Sequence, residues 1–146
     1  MKKILFALPL LIISLITPPA MAASDADCAI WLCLPTGFPS GCGDAKSAFK
    51  KRIKHLKPPL PNISSCLVKE SDIPPEIKAE YKPSDLSYKK GVSAKMPDGR
   101  FIDGTSCIRH RNNGGVLYWS PRGCIATYHW VQVHMDKQPY ANKYYY

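Results

Sequence analysis

The chain has 146 residues, 45% hydrophobic and 21% charged, which suits one globular domain and is too short for a large multidomain enzyme. Its 20 Lys and Arg against 11 Asp and Glu give a net charge of +9, and 14 Pro with 9 Gly argue against a mostly helical bundle. No apolar run reaches the length of a spanning helix and no internal repeat is visible, so helical membrane proteins and solenoids are not expected.

Met1-Lys2-Lys3 opens the chain with positive charge, an apolar stretch runs from Ile4 to Ile16, and Thr17-Pro18-Pro19 breaks it before Ala20-Met21-Ala22. This is the layout of a Sec-type signal peptide over residues 1–22, cut before Ala23. Cys28 lacks the Leu and small residues that a lipoprotein-processing site places before its cysteine. The short, two-lysine signal looks bacterial, so the mature chain is expected in the periplasm or outside the cell, with no transmembrane segment.

Cys28, Cys33, Cys42, Cys66, Cys107 and Cys124 all follow the expected cut, and an even number of cysteines in an exported chain reads as a disulfide framework. Loop positions favour Cys107 with Cys124, leaving the other four to close among themselves in an order that the spacing does not fix. Neither Cys-x-x-Cys nor Cys-x-x-Cys-His occurs, so zinc ribbons, thioredoxin-type redox sites and covalent haem are not expected.

Ser24 stands three residues before Asp27, a start resembling a capping box, and predicts a short helix from there to Leu34, stopped by Pro35. Residues 35–43 are turn chemistry. Asp44 is placed to cap a second helix, Ala45 to about Lys57, in which Ala45, Ala48, Phe49, Ile53 and Leu56 recur at helical spacing and form one apolar face. Lys46, Lys50, Lys51, Lys54 and Lys57 then project elsewhere. Pro58, Pro59 and Pro61 stop this helix, and Cys66 follows at a distance that lets the chain fold back onto the first segment. Asp72 with Pro74 and Pro75 permits a third short helix to about Tyr81.

From residue 88 the pattern is β. Met96–Arg100 is a turn, Thr105–Arg111 a strand, Asn112–Gly115 a hairpin turn, Val116–Ser120 the returning strand, and Pro121–Gly123 another turn. Cys124–Met135 alternates Ile125, Thr127, His129, Val131 and Val133 against Ala126, Tyr128, Trp130 and Gln132. The expected fold is therefore a small disulfide-stabilised α+β domain over residues 23–137. Short N-terminal helices (24–81) precede a C-terminal antiparallel β-meander (88–135) whose strands carry Cys107 and Cys124. A Tyr-rich tail, 138–146, shows no core pattern.

No catalytic constellation is legible: His55, His110, His129 and His134 are scattered, and Glu70, Glu76 and Glu80 lie in sequence without a signature. No cofactor or metal is expected. The candidate contact surface consists of Lys46, Lys50, Lys51 and Lys54 on the second helix, with Trp119 and Trp130 on the strands.

One stretch is more specific. Cys28-Ala-Ile-Trp-Leu-Cys33-Leu-Pro-Thr-Gly-Phe-Pro-Ser-Gly-Cys42, then Asp44-Ala-Lys-Ser-Ala-Phe-Lys-Lys-Arg-Ile-Lys, Pro58-Pro-Leu-Pro61 and Cys66, resembles the TrbM/KikA/MpfK family of conjugal transfer proteins. The resemblance covers about residues 27–66. It implies an exported accessory of a type IV secretion or mating-pair-formation system on a mobile genetic element, and it implies no chemistry. The expected function is accordingly non-enzymatic, by contact with proteins of the cell envelope; an anionic envelope polymer is the second candidate partner, and nucleic acid is disfavoured. The competing readings are an enzyme or enzyme modulator acting on peptidoglycan, supported by charge alone, and a secreted disulfide-rich toxin or inhibitor.

Overall fold

A computed structural model describes residues 23–67, 74–75, 85–115 and 117–146. The signal segment 1–22, the third helix expected over 72–81, and Glu70, Glu76 and Glu80 lie outside the described residues. Two short helices pack on an antiparallel sheet, and three disulfides brace them, so the fold is a small disulfide-stabilised α+β.

Helix α1, Asp25–Cys33, starts where the sequence predicts. The Ser24 hydroxyl caps it by accepting the Asp27 N–H at 3.2 Å. Helix α2, Gly43–Lys54, differs from expectation at both ends. Its N-cap is Cys42 with no side-chain cap, and Asp44 lies inside the first turn, where its charge complements the helix dipole. At the other end the chain leaves the helix in a Schellman turn: Lys57 N–H donates to Arg52 C=O and Leu56 N–H to Ile53 C=O, with Leu56 left-handed at φ 54°. Leu56 is consequently 94% exposed and takes no part in the apolar face assigned to it.

The remaining apolar face behaves as its spacing predicts. Ala45 and Phe49 are buried and Ala48 and Ile53 pack beside them, joining Ile30 and Trp31 of α1 and Leu34 at its C-cap, then Phe38 and Leu60. The Trp31 indole N–H donates to Pro61 C=O at 3.2 Å, which pins the proline-rich return against α1. Cys28–Cys66 closes the same return, and Cys33–Cys42 closes the turn between the helices. Each such bridge restricts the unfolded chain enough to contribute about 2–4 kcal/mol.

Strand β1, Leu86–Lys95, turns through Met96–Arg100 into β2, Phe101–Asp103. Strands β3, Ile108–Arg111, and β4, Leu117–Ser120, form a separate two-stranded sheet. Strand β5, Ala126–Met135, pairs along its length with β1, Leu86 facing Met135 and Lys95 facing Ala126. The expected meander is thus corrected. The alternation of β5 is satisfied by a ten-residue partner earlier in the chain, which offers far more ladder than the four-residue β4. Cys107 and Cys124 are bridged as expected but precede β3 and β5 rather than lying on strands.

The segment 138–146 is also corrected, from an appendage to part of the sheet. Strand β6, Gln138–Pro139, and strand β7, Tyr144–Tyr145, both pair with β5. Side chains alternate across β7, so Tyr144 and Tyr146 face the helices and make edge-to-face contacts with Phe49 at 5.6 and 5.1 Å. Tyr145 points the other way.

Candidate contact surfaces

Three surfaces carry the residues singled out in the sequence. The first is the outer side of α2. The rise of 100° per residue that buries Ala45 and Phe49 puts Lys46, Lys50 and Lys54 in one inclined row, with Lys51 further round; all four are exposed. Arg52 follows a different path, one that helical spacing does not predict. Its side chain turns inward, donating from Nε to Pro58 C=O at 2.8 Å, from one terminal nitrogen to Asp27 at 3.2 Å, and from the other to Leu60 C=O at 3.2 Å. Arg52 is a clamp between helices. Beside it runs an open groove of about 400 Å³ whose lining includes Asp27, Asp44, Lys51, His55 and Lys57, a mixture of signs rather than a concentrated cationic site.

The second surface is the face of the sheet turned away from the helices. Here Trp130 is committed internally: its ring lies against Gly91, and the Lys143 ammonium sits 4.4 Å from its centroid. Lys143 also donates to the Asp103 carboxylate, which further accepts from Ser93 Oγ and, at 3.4 Å, from the Tyr145 hydroxyl. The hydrogen bond from Lys143, followed by that from Ser93, holds the Asp103 carboxyl below the ordinary carboxylate value. Burial, followed by the neighbouring Asp103 charge, pushes the Tyr145 phenol up. Tyr145 stacks on Phe101 at 3.8 Å, and Phe101 meets Tyr128 edge-on at 5.5 Å. These groups hold one another, so Trp130 serves packing rather than as the free contact expected of it.

The third surface is the β3–β4 arm. The turn Asn112–Gly115, closed by Gly115 N–H to Asn112 C=O at 2.9 Å, joins its strands, and the Cys107–Cys124 bridge closes its base. Cys107 N–H donates to Thr127 Oγ1 at 2.8 Å, which fixes that base to β5. Beyond it, Ile108, Leu117, Tyr118 and Trp119 are 50, 42, 52 and 40% exposed. Trp119, the other tryptophan of the candidate surface, is therefore open. Arg109 lies 6.0 Å from its ring centroid, and on the opposite side of the ladder His110 stacks on Tyr118 at 4.8 Å.

The histidines stay apart, as their spacing predicts for the two on β5. His55 caps the end of α2, His110 is on the arm, and His129 stacks on Tyr146 at 5.8 Å. His134, on the other face of β5, is 4% exposed with Nε2 unpartnered. Among the described residues no three His, Cys, Asp or Glu side chains converge as a metal site, and no helix is long and apolar enough to cross a membrane. Three disulfides are the mark of a chain that folds in an oxidising, non-cytoplasmic compartment. Comparison with protein-family models, curated proteins and solved structures finds no match to this chain.

Proposed function

We propose that the protein is an exported, non-enzymatic accessory of a bacterial conjugative type IV secretion or mating-pair-formation system, acting in the cell envelope through protein contact. The observation that carries the contact role is the β3–β4 arm, braced at its base and presenting Ile108, Leu117, Tyr118 and Trp119 outward. Large apolar side chains gathered on an exposed two-stranded ribbon cost solubility and mark an interaction surface. The conjugative assignment is supported by the resemblance over residues 27–66. Cys28–Cys66 and Cys33–Cys42 both close within that stretch, so it forms a covalently self-contained helical lobe. The arm lies outside that stretch.

Deleting the gene from its mobile element is expected to lower transfer frequency while relaxase nicking stays intact, with recovery on complementation. Unchanged transfer would overturn the reading.

A further inference from the structure

The arm is basic without internal relief. From Gly104 to Met135 the sequence holds Arg109, Arg111 and Arg122 and no Asp or Glu. Residues directly opposite in an antiparallel ladder point the same way, so Arg109 with Trp119 and Arg111 with Leu117 share one face. Arg109 and Arg111 stand two residues apart on β3, both exposed. Among the described residues β3 and β4 pair only with each other, so the outer edge of β3 keeps alternate N–H and C=O groups facing away from the ladder.

We infer that the arm captures an extended acidic segment of a partner protein as an added strand along β3, with carboxylates two residues apart meeting Arg109 and Arg111. This rests on the contact role proposed above and gives the partner its chemistry. An added strand supplies the backbone groups that the β3 edge lacks, and its side chains alternate, so every second one falls beside Arg109 and Arg111. Guanidinium and carboxylate then pair with directional, charge-assisted hydrogen bonds. Leu117 and Trp119 on the same face offer apolar area to the partner body behind that strand. A second copy of this chain is a poor occupant, because it brings the same basic arm and the same excess of Lys and Arg over Asp and Glu. Nucleic acid is a poorer fit than a peptide: one face of the Trp119 ring is met by Arg109 and one face of the Tyr118 ring by His110, and phosphates do not complete a strand edge.

The test uses the full mature chain with its disulfides intact, panned against a phage-displayed library of random peptides, with the selected peptides then synthesised and their affinities measured. The expected set is enriched in Asp or Glu at alternate positions. Binding is expected to weaken roughly tenfold or more for the double variant Arg109→Glu, Arg111→Glu, and for peptides N-methylated on the edge-facing amides, while Lys89→Glu, at an exposed lysine of β1 outside the candidate surfaces, leaves it unchanged. Circular dichroism and a free-thiol count establish that each variant is folded. Peptides without acidic enrichment, full binding by the double variant, or tolerance of N-methylation on both sets of alternate amides would overturn the inference. So would tighter binding of a single-stranded oligonucleotide or of soluble peptidoglycan fragments through the same arginines.

Transfer assays separate the two levels. If deletion lowers transfer but the folded double variant restores it fully, the arm assignment fails and the contact role stands. If deletion has no effect, the conjugative reading fails, and the peptide affinities still decide the arm.

Discussion

The Trp130 indole occupies the space that a side chain on Gly91 would need: a β-carbon built there would stand 2.7 to 2.9 Å from its ring atoms. The two residues are directly opposed on β1 and β5, so the glycine belongs to the packing of its neighbour. Gly91→Ala forces the ring away from the strand and disturbs the Lys143 ammonium above it. The expected cost is about 1–3 kcal/mol, read as a lower denaturation midpoint with a red-shifted tryptophan emission. Unchanged stability and emission would show that the ring has room to move.

Leu56 makes the opposite case. It stands left-handed at φ 54° with its side chain in water, so it carries the strain of that conformation without burial to offset it. Glycine has no β-carbon to clash there, though it costs more conformational entropy on folding. Leu56→Gly is expected to stabilise by about 0.5–1 kcal/mol, measured by denaturant unfolding at constant slope. A destabilised variant would mean that the leucine has a partner surface.

These two positions also show how far the sequence could be read. Ser24 as a cap and Phe49 as a core residue were legible because capping and helical spacing are local. The end of α2 was not, since leucine advertises nothing of the left-handed turn that glycine would. The β character from residue 88 was legible, but the bounds and partner of β1 were not, since Lys89, Lys90 and Gly91 interrupt its apolar alternation and the reason for Gly91 lies on β5. In Tyr144-Tyr145-Tyr146 the alternation is real but invisible, three identical letters serving two faces. Trp119 and Trp130 looked equivalent for a similar reason: only the fold puts Lys143 over one and leaves the other open.

The tyrosines set the behaviour in alkali. Burial, joined by Asp103 for Tyr145 and by Tyr88 for Tyr146, raises both phenols above their ordinary value of 10.0. A folded value above the unfolded one means the fold favours the neutral phenol, so this stability is complete below about pH 10 and is lost as pH rises through the raised values. Asp103, held below 3.8, acts at the other end: its contribution is present above the ordinary carboxylate value and disappears as pH falls through the depressed one. Phenolate absorbance is expected to show a late-titrating fraction of the 8 tyrosines whose ionisation coincides with loss of near-ultraviolet dichroism. A single early titration of all of them, with the dichroism retained, would contradict the packing of β7.

The arm should separate energetically from the body. A two-stranded ribbon is marginal by itself in water, and β3 and β4 pair with no other strand among the described residues. Their order therefore depends on the Cys107–Cys124 bridge, which spans a sequence separation of 17, and on the Cys107 to Thr127 hydrogen bond at its base. The helical lobe has its own two bridges and shares one core with Val131 and Val133 of β5, to which no residue of β3 or β4 contributes. Replacing Cys107 and Cys124 together by Ser removes a loop constraint worth about 3 kcal/mol in the chain-entropy account. Much of that loss is expected to appear locally, because the arm can open while β1, β5 and the helices remain paired. Hydrogen exchange should then accelerate strongly at residues 108–111 and 117–120 and much less along β1 and β5. Equal acceleration throughout would show that arm and body unfold as one unit, and an unchanged arm would show that the bridge is dispensable for holding Trp119 and Arg109 in place.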